Sequence, residues 1–340
     1  NDLEDFLGIA PDLGAYETNF SGQVTQIIED LHEGANLVSF YVLPEDASVG
    51  NMMESLGENV TGIIGEGVAT SQIAPGTWVG SLSYIEPTSG YWLKMMVPDT
   101  FMINGIKTDT DIIYNLHDGA NLISYPSDIS MYITDALPDE QEGYFTGFIG
   151  EGVASSQIAP GTWVGSLQYF EGGSGYWAKV TESVNFSFNI DGFMREPNKA
   201  NLEPAIFAYD QSMVQAFYFI EDIQIENNSL SEFWILAYCG DYLSGSRKWH
   251  GSYTDIPVMG YDGSPETFGY CIEGEVPQFK IAHDEDIYNF ILHDIDIPFE
   301  QNGIFFISLI EDNIVLPSEY ILDHAYPNPF NPITNIEFGL

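Results

Sequence analysis

The chain carries one segment twice, 85 residues apart. Residues 65–82 read GEGVATSQIAPGTWVGSL and residues 150–167 read GEGVASSQIAPGTWVGSL, so only Thr70 and Ser155 differ. The match continues without a gap on both sides, through LHEGANL at 31–37 with LHDGANL at 116–122, and GYW at 90–92 with GYW at 175–177. Copies this similar should fold alike and pack side by side. Two near-identical surfaces suit multivalent contact better than catalysis in one asymmetric pocket.

Each copy predicts a small β unit. Short apolar stretches broken by Gly and Pro are typical of strands, and one short helix is expected per copy, over 48–56 and 130–137. The region after the copies does not repeat them. It contains many short apolar runs with turns at Asp262-Gly263 and Gly240-Asp241, which favours an antiparallel β-sandwich. The sequence therefore predicts a mainly β fold, with two tandem β-rich repeats followed by a sandwich.

The expected organisation has five parts. They are residues 1–22, the remnant of an upstream β-helix or linker; 23–108, repeat 1; 109–198, repeat 2; 199–318, the third unit; and 319–340, the first strand of a C-terminal sorting domain.

The acidic composition limits the partners. Eight Lys and Arg stand against 51 Asp and Glu, for a net charge of −43. Such a field repels nucleic acid and anionic membranes. No apolar run reaches the roughly 18–20 residues that span a bilayer. Charge self-repulsion is screened over about 10 Å at 0.1 M salt and about 3 Å at 1 M, so we expect a marine or halophilic protein stabilised by salt.

Two terminal motifs resemble those of secreted bacterial proteins. Residues 12–17, DLGAYE, resemble a signature that closes right-handed parallel β-helix domains, which implies such a domain upstream. The stretch Tyr326-Pro327-Asn328-Pro329-Phe330-Asn331-Pro332, followed by ITNIEF, resembles the opening of a type IX secretion C-terminal sorting domain. That resemblance implies export to the outer surface of a bacterial cell. Residues 233–249, FWILAYCGDYLSGSRKW, resemble a strand pair of β-sandwich modules in secreted bacterial proteins, which carry no transferable function.

The repeated aromatic residues are the candidate ligand-binding residues. These are Trp78, Tyr91 and Trp92 in repeat 1, and Trp163, Tyr176 and Trp177 in repeat 2. Flat aromatic rings on a β surface can stack on sugar rings. The same residues could equally anchor a core, because a buried Trp removes roughly 150–250 Å² from water. The repeated Gly-Glu-Gly at 65–67 and 150–152 leaves a similar choice, between a carboxylate that binds a cation or sugar and a turn that requires glycine.

Three acidic pairs are candidate calcium ligands, and calcium is the one candidate cofactor. The pairs are Asp109 and Asp111, Asp284 and Asp286, and Asp294 and Asp296. Carboxylates two residues apart share a strand face or a loop and could supply part of the six to eight oxygens that calcium takes. Close pairs also arise by chance in so acidic a chain, as solvated surface.

Cys239 and Cys271 are the only cysteines. An even pair in an exported protein suggests a disulfide, with two buried free thiols as the alternative.

The sequence predicts a non-catalytic, extracellular structural or adhesive protein that could assemble into surface filaments. Its expected partners are further copies of itself or components of the cell surface and extracellular matrix. The alternative is a carbohydrate-binding accessory region of a secreted polysaccharide-degrading protein, with glycans as partners. The six histidines show neither an H-E-x-x-H motif nor cysteines at zinc spacing, so an enzyme is the least favoured class.

Overall fold

The fold is known from a computed structural model that describes residues 22–190, 207–225, 232–283, 286–292 and 296–311, with the backbone of 321–322 and 338–339. The predicted mainly β fold is confirmed: helices in the described residues are limited to single turns.

Repeat 1 is built on a five-stranded antiparallel sheet in the order β2-β7-β4-β5-β6. Strands β1, β8 and β3 form a second, three-stranded sheet. The strands are β1 Val24–Leu31, β2 Gly34–Ser39, β3 Val42–Leu43, β4 Val60–Gly65, β5 Val68–Ala74, β6 Thr77–Gly80, β7 Gly90–Met95 and β8 Asp99–Lys107. A single helical turn, α1 Val49–Met52, buries Val49 and Met52 and leads to a 3₁₀ turn over Gly57–Asn59.

Repeat 2 has the same architecture, with a sheet in the order β10-β16-β12-β13-β14. Its strands are β9 Tyr114–Leu116, β10 Gly119–Ile123, β11 Met131–Tyr132, β12 Phe145–Ile149, β13 Ala154–Ala159, β14 Thr162–Gly165, β15 Tyr169–Phe170, β16 Tyr176–Val180 and β17 Val184–Phe186. Two small pairs, β11-β15 and β17-β9, complete the unit. Besides α2 Ile133–Ala136 it has a second turn, α3 Asp139–Glu142, which the sequence does not predict. α2 ends just before Pro138, with Leu137 as its C-cap residue, and Pro138 is in turn the N-cap residue of α3.

The two repeats share their register as well as their strand order. Trp92 lies opposite Leu37 and Ile64, and Trp177 lies opposite Leu122 and Ile149. Both sheets carry an irregularity at the same place, after Val60 and after Phe145. Each repeat packs its own apolar core behind its sheet.

The third unit is one seven-stranded sheet in the order β20-β19-β22-β23-β24-β18-β21. Its strands are β18 Gln215–Gln224, β19 Trp234–Cys239, β20 Tyr242–Lys248, β21 Thr254–Met259, β22 Gln278–His283, β23 Asp286–Leu292 and β24 Ile304–Glu311. The sheet curls until its edge strands β20 and β21 meet. At that seam Gly245 lies against the carbonyl of Pro257, where a Cβ would fall 1.7 Å from the oxygen.

The third unit differs from the expected antiparallel sandwich in one strand pair. Strands β18 and β24 run parallel, while the other pairs in the sheet are antiparallel. A parallel pair requires a crossover connection between its strands, and here the whole run from β19 to β23 separates β18 from β24. Periodicity within a strand does not reveal its direction, so the sequence did not indicate this pair.

Three further features are defined by the described residues. Cys239 and Cys271 form a disulfide bond with a Cα–Cα distance of 5.1 Å. No helix in the described part of the chain is both long and apolar enough to cross a membrane. Near the C-terminus, β25 Ile321–Leu322 and β26 Phe338–Gly339 pair antiparallel.

Candidate functional site at the junction of the three units

The two repeats are clamped together by one histidine–glutamate contact used twice. Nε2 of His32 in repeat 1 lies 2.7 Å from Oε1 of Glu151 in repeat 2, and Nε2 of His117 lies 2.5 Å from Oε1 of Glu66. The second oxygen of each carboxylate accepts a backbone N–H of the opposite repeat, from Leu37 at 2.7 Å and from the equivalent Leu122 at 2.8 Å. Each of these glutamates is the central residue of a Gly-Glu-Gly motif, so this motif forms the contact between the two repeats.

This contact has the logic of an isologous dimer interface within one chain. In such an interface, residue i touches residue j and the equivalent j touches i. The backbone follows the same rule, because the N–H of Ser39 donates to Gly173 O at 2.8 Å and that of Ser124 donates to Thr88 O at 3.1 Å. The side-by-side packing predicted from the duplication is therefore reciprocal in its atoms.

Local hydrogen bonds fix the loop that carries each clamp histidine. The backbone N–H of His32 donates to Oδ1 of Asn36 at 2.8 Å, and Nδ2 of Asn36 returns a bond to His32 O at 2.8 Å. Gly34 between them has φ of +90°, a left-handed conformation that glycine adopts without strain. Repeat 2 reproduces both bonds between His117 and Asn121.

Both clamp histidines have acceptors at both ring nitrogens. Nδ1 of His32 lies 2.6 Å from Glu33 O while Nε2 faces Glu151, and an imidazole satisfies two acceptors only when doubly protonated. The hydrogen bond to Glu151 accordingly raises the pKa of His32 to about 9, against an opposing effect of burial. The pKa of His117 is also raised, first by its bond to the Asp118 carbonyl and then by Glu66.

Most of the candidate aromatic residues lie in packed positions. Tyr91 and Tyr176 are each 2% exposed in the cores of their repeats, and their hydroxyls accept the backbone N–H of Glu86 and Glu171 at 2.8 Å. Trp92 is 2% exposed and packs with the half-buried Trp177 in an apolar cluster shared by both repeats and the third unit. The core-anchor interpretation therefore describes Tyr91, Trp92 and Tyr176 in this structure.

Trp78 and Trp163 are half-buried like Trp177, but they lie outside the cluster shared by the three units. The indole N–H of Trp163 donates to Oε1 of Glu142 at 2.7 Å, and one side of its ring packs on Phe148 at a centroid distance of 5.6 Å. Trp78 packs at the edge of the repeat 1 core. Of these two, Trp163 also borders a large cleft.

That cleft, of about 1320 Å³, is lined by all three units. Its walls include Trp163, Tyr132 and Tyr169 of repeat 2, Asp30 of repeat 1 and His250 of the third unit. Two acids of the lining are already engaged. Glu151 belongs to the clamp, and Asp255, 2% exposed, accepts the N–H and hydroxyl of Ser166 at 2.8 and 2.6 Å.

The third unit binds repeat 2 at the Gly150-Glu151-Gly152 turn of that repeat. The buried side chain of Gln215 donates to Gly150 O at 2.9 Å and accepts the N–H of Gly152 at 3.3 Å. Arg247 donates to Gly152 O at 2.7 Å and to Asp255 at 3.4 Å. Burial raises the pKa of Asp255, while Arg247 and the Ser166 bonds act in the opposite direction.

Two equivalent lysines connect the repeats to the third unit. Lys94 Nζ lies 3.0 Å from the Ser264 hydroxyl, and Lys179 Nζ donates to Asn302 O at 2.6 Å. Burial lowers the pKa of Lys179. A cavity of about 280 Å³ remains where the three units meet, between the Gly65–Gly67 turn, Trp92, Trp177 and Asp262.

The predicted calcium ligands are scattered where they are described. Asp109 and Asp111 share an exposed loop, in which the N–H of Asp111 donates to Oδ1 of Asp109 at 3.2 Å. Asp286 and Asp296 are exposed, while Asp284 and Asp294 lie outside the described residues. Within the described ranges, no three His, Cys, Asp or Glu side chains are grouped to hold a metal ion. Calcium binding stays a prediction.

The sorting motif at 326–332 and the β-helix signature at 12–17 also lie outside the described residues. No family model, curated protein or solved structure matches the chain. The secretion and β-helix resemblances therefore stay predictions.

The sequence did not reveal the clamp. Its visible signal was an acid between two glycines in both copies, and a histidine before a glycine turn in both copies. The contact joins residue 66 to residue 117 and residue 151 to residue 32, so each acid's partner lies in the other copy and no local spacing indicates it.

Proposed function

We propose that the chain is a non-catalytic, extracellular structural or adhesive protein of a bacterial cell surface. The observation that carries the proposal is the reciprocal clamp. Both carboxylates of the repeated motif have both oxygens engaged across the repeat junction. The glutamates of the repeated motif thus hold the two repeats together, which suits a rigid contact-bearing element.

The buried acid of the third unit supports the same role. Asp255 is held by Ser166 of repeat 2 and by Arg247, so it fastens the third unit to repeat 2. An assembly of three units fixed by buried polar contacts keeps its surfaces at constant separation, as a load-bearing or multivalent protein requires. Surface location itself is supported by the sorting motif and by the disulfide, which is stable in oxidising compartments.

Immunogold electron microscopy of native cells tests this proposal. Antibodies against the folded chain should label the outer cell surface or material released from it, as filaments or a layer. Label confined to the cytoplasm would overturn the proposal, and so would turnover of a polysaccharide by the purified chain.

The alternative function is carbohydrate binding, and the cleft beside Trp163 favours it. Aromatic side chains that border a groove can stack on sugar rings, and Trp163, Tyr132 and Tyr169 border this one. On a glycan array, Trp163→Ala should abolish any binding, while Trp78→Ala, its equivalent outside the cleft lining, should not. Binding that survives Trp163→Ala would remove the cleft as the site.

A further inference from the structure

The same surface is covered in repeat 2 and bare in repeat 1. Ala154 and Ser156 on β13 are 0% and 4% exposed, whereas their equivalents Ala69 and Ser71 on β5 are exposed. Val164 on β14 is half-buried, while the equivalent Val79 on β6 is 57% exposed. We call the exposed surface of Ala69, Ser71 and Val79 the bare face.

The third unit supplies the cover in repeat 2. Phe217 and Phe219 of β18 pack with Ala154 and Ile149, and Val164 packs at the edge of this cluster. Ile304 of β24 reaches Gly147, where a Cβ would fall 2.5 Å from the Ile304 methyl. Around these apolar contacts lie the polar bonds from Gln215, Arg247 and Asp255.

Repeat 1 presents the same chemistry without that cover. The single difference between the repeated segments is Thr70 against Ser155, and both are buried, at 4% and 1%. Neighbouring residues of a strand face opposite sides, so Thr70 points away from the side that shows Ala69 and Ser71. The outward surfaces of the two copies are therefore identical in sequence.

The two copies also differ in conformation where the third unit touches repeat 2. The Gly-Glu-Gly turn is closed in both repeats, by the pairing of Gly65 with Val68 and by the bond from the N–H of Gly150 to Val153 O at 2.9 Å. The difference lies at the following serine: the N–H of Ser81 donates to Ala69 O at 2.8 Å, whereas the N–H of Ser166 donates to Asp255. Gly165 adopts φ of +118° beside the Phe219 ring. One molecule thus shows the same surface in an occupied and an unoccupied form.

We propose that the bare face of repeat 1 is a docking site for the third unit of a second copy of this chain. The occupant is indicated by the molecule itself, because the third unit already binds an identical surface in repeat 2. This inference rests on the proposed structural role, for which it names the contact between copies.

The chain has one docking unit and two receiving faces. Moving a third unit from its own repeat 2 to repeat 1 of a neighbour exchanges the face of β13 and β14 for the equivalent face of β5 and β6, as in domain swapping. The move also releases the bond of Lys94 to Ser264 within the same chain. The 16 residues 191–206 join repeat 2 to the third unit, and a chain of that length reaches at most roughly 50–60 Å. The contact is heterologous, so repeated exchange builds an open, head-to-tail assembly. High salt favours it, because screening reduces repulsion between copies of net charge −43.

Sedimentation velocity of the full chain in 1 M NaCl, over a wide concentration range, tests the proposal. The wild type should associate, and Val79→Arg should weaken association by at least roughly tenfold, because it places an unpaired charge in the contact. The matched control is Ile73→Arg, near the end of β5 and outside the bare face. Ile73 is 67% exposed, and its equivalent Ile158 stays 41% exposed in repeat 2, so this variant should associate like the wild type.

A second variant tests the direction of exchange. Val164→Arg obstructs the receiving face of repeat 2 and should strengthen association, since the freed third unit then binds repeat 1 of a neighbour. The double variant Val79→Arg/Val164→Arg should be monomeric. Circular dichroism confirms that each variant is folded, and the comparison of Val79→Arg with Ile73→Arg stands alone if Val164→Arg is not.

Three results would overturn the inference. The wild type and Val164→Arg could both stay monomeric at every concentration, or Val79→Arg could associate as strongly as the wild type. The third is a loss of association in Ile73→Arg equal to that in Val79→Arg. If the chain is monomeric in sedimentation but is labelled at the cell surface, the docking contact is wrong and the proposed structural role is unaffected. Cytoplasmic label would remove that role whatever the sedimentation result.

Discussion

His32 and Glu151 belong to different repeats and are joined by a hydrogen bond of 2.7 Å between Nε2 and Oε1. The equivalent pair, His117 and Glu66, closes the other end of the same junction. Because these residues are far apart in sequence, the clamp stabilises the arrangement of the repeats rather than the fold of either one. Its strength depends on the charge of the histidine, which makes it sensitive to pH.

The first prediction is a loss of stability as pH rises from 6.5 to about 9. The folded-state pKa of His32 is about 9, above the ordinary 6.5. A group whose pKa is raised by folding stabilises the folded state fully below its unfolded pKa, and that contribution disappears as pH rises through the folded value. His32→Gln keeps a neutral donor and removes the titration. The Tm of wild type minus that of His32→Gln should be positive at pH 6.5 and should approach zero above pH 9. A difference that does not change with pH would contradict the clamp's ionic character.

A second prediction concerns the tryptophan at the repeat junction. Trp92 is 2% exposed within the cluster shared by the three units. Trp92→Ala should lower the free energy of unfolding by about 3–5 kcal/mol, through lost burial and the cavity left behind. Ile73→Ala, at a 67% exposed position of the same repeat, should change it by no more than about 0.5 kcal/mol. Urea unfolding measures both. A loss below about 1 kcal/mol at Trp92 would mean that the side chain is not packed at this junction.

Much of the fold follows from the duplication and from strand patterning. Short apolar stretches broken by Gly and Pro predict strands such as β2. The 85-residue repeat predicts that Trp92 and Trp177 occupy equivalent registers, as they do. Helix α3 was not predicted, because its Asp-Glu-Gln-Glu sequence has no apolar periodicity.

The candidate site was harder to predict, for a physical reason. Ala69 and Ala154 have the same neighbours in sequence, yet only Ala154 is covered. The difference arises from the third unit, whose Phe217 and Phe219 reach repeat 2 alone. Local sequence cannot encode an asymmetry between identical segments, since it is set by which of them the following domain contacts.

A third prediction contrasts a buried and an exposed ion pair. The side chains of Arg247 and Asp255 are 11% and 3% exposed, and Nη2 of Arg247 lies 3.4 Å from Oδ2 of Asp255. Asp255→Ala leaves Arg247 with an uncompensated buried charge and should lower the free energy of unfolding by about 3–5 kcal/mol. The control is Asp128→Ala, which breaks the exposed pair with Lys107 at 2.7 Å and should cost less than about 1 kcal/mol. Chemical denaturation compares the two. Equal costs would show that the third unit is not fastened to repeat 2 through Asp255.

Reduction of the disulfide gives a fourth prediction. Cys239 and Cys271 have a sequence separation of 32. Closing a loop of that length lowers the entropy of the unfolded chain and so raises its free energy by about 3–4 kcal/mol. The double variant Cys239→Ala/Cys271→Ala should lose about this much stability in the third unit. Calorimetry should show the loss in the oxidised wild type after reduction and no effect of reductant on the variant. A variant as stable as the oxidised protein would leave the disulfide without a stabilising role.

The fifth prediction separates charge screening from calcium binding. With 51 acidic and 8 basic side chains, self-repulsion in the folded state should fall as the Debye length shrinks from about 10 Å at 0.1 M salt to about 3 Å at 1 M, so Tm should rise with NaCl. Screening depends on ionic strength, whereas binding depends on the cation. At matched ionic strength, NaCl and CaCl₂ should therefore give equal Tm if screening alone acts, and a higher Tm in CaCl₂ would indicate carboxylate sites that bind calcium in the folded state. Asp109→Asn/Asp111→Asn should abolish that excess if this loop contributes. A Tm that stays constant from dilute buffer to molar NaCl would contradict a stability limited by charge repulsion.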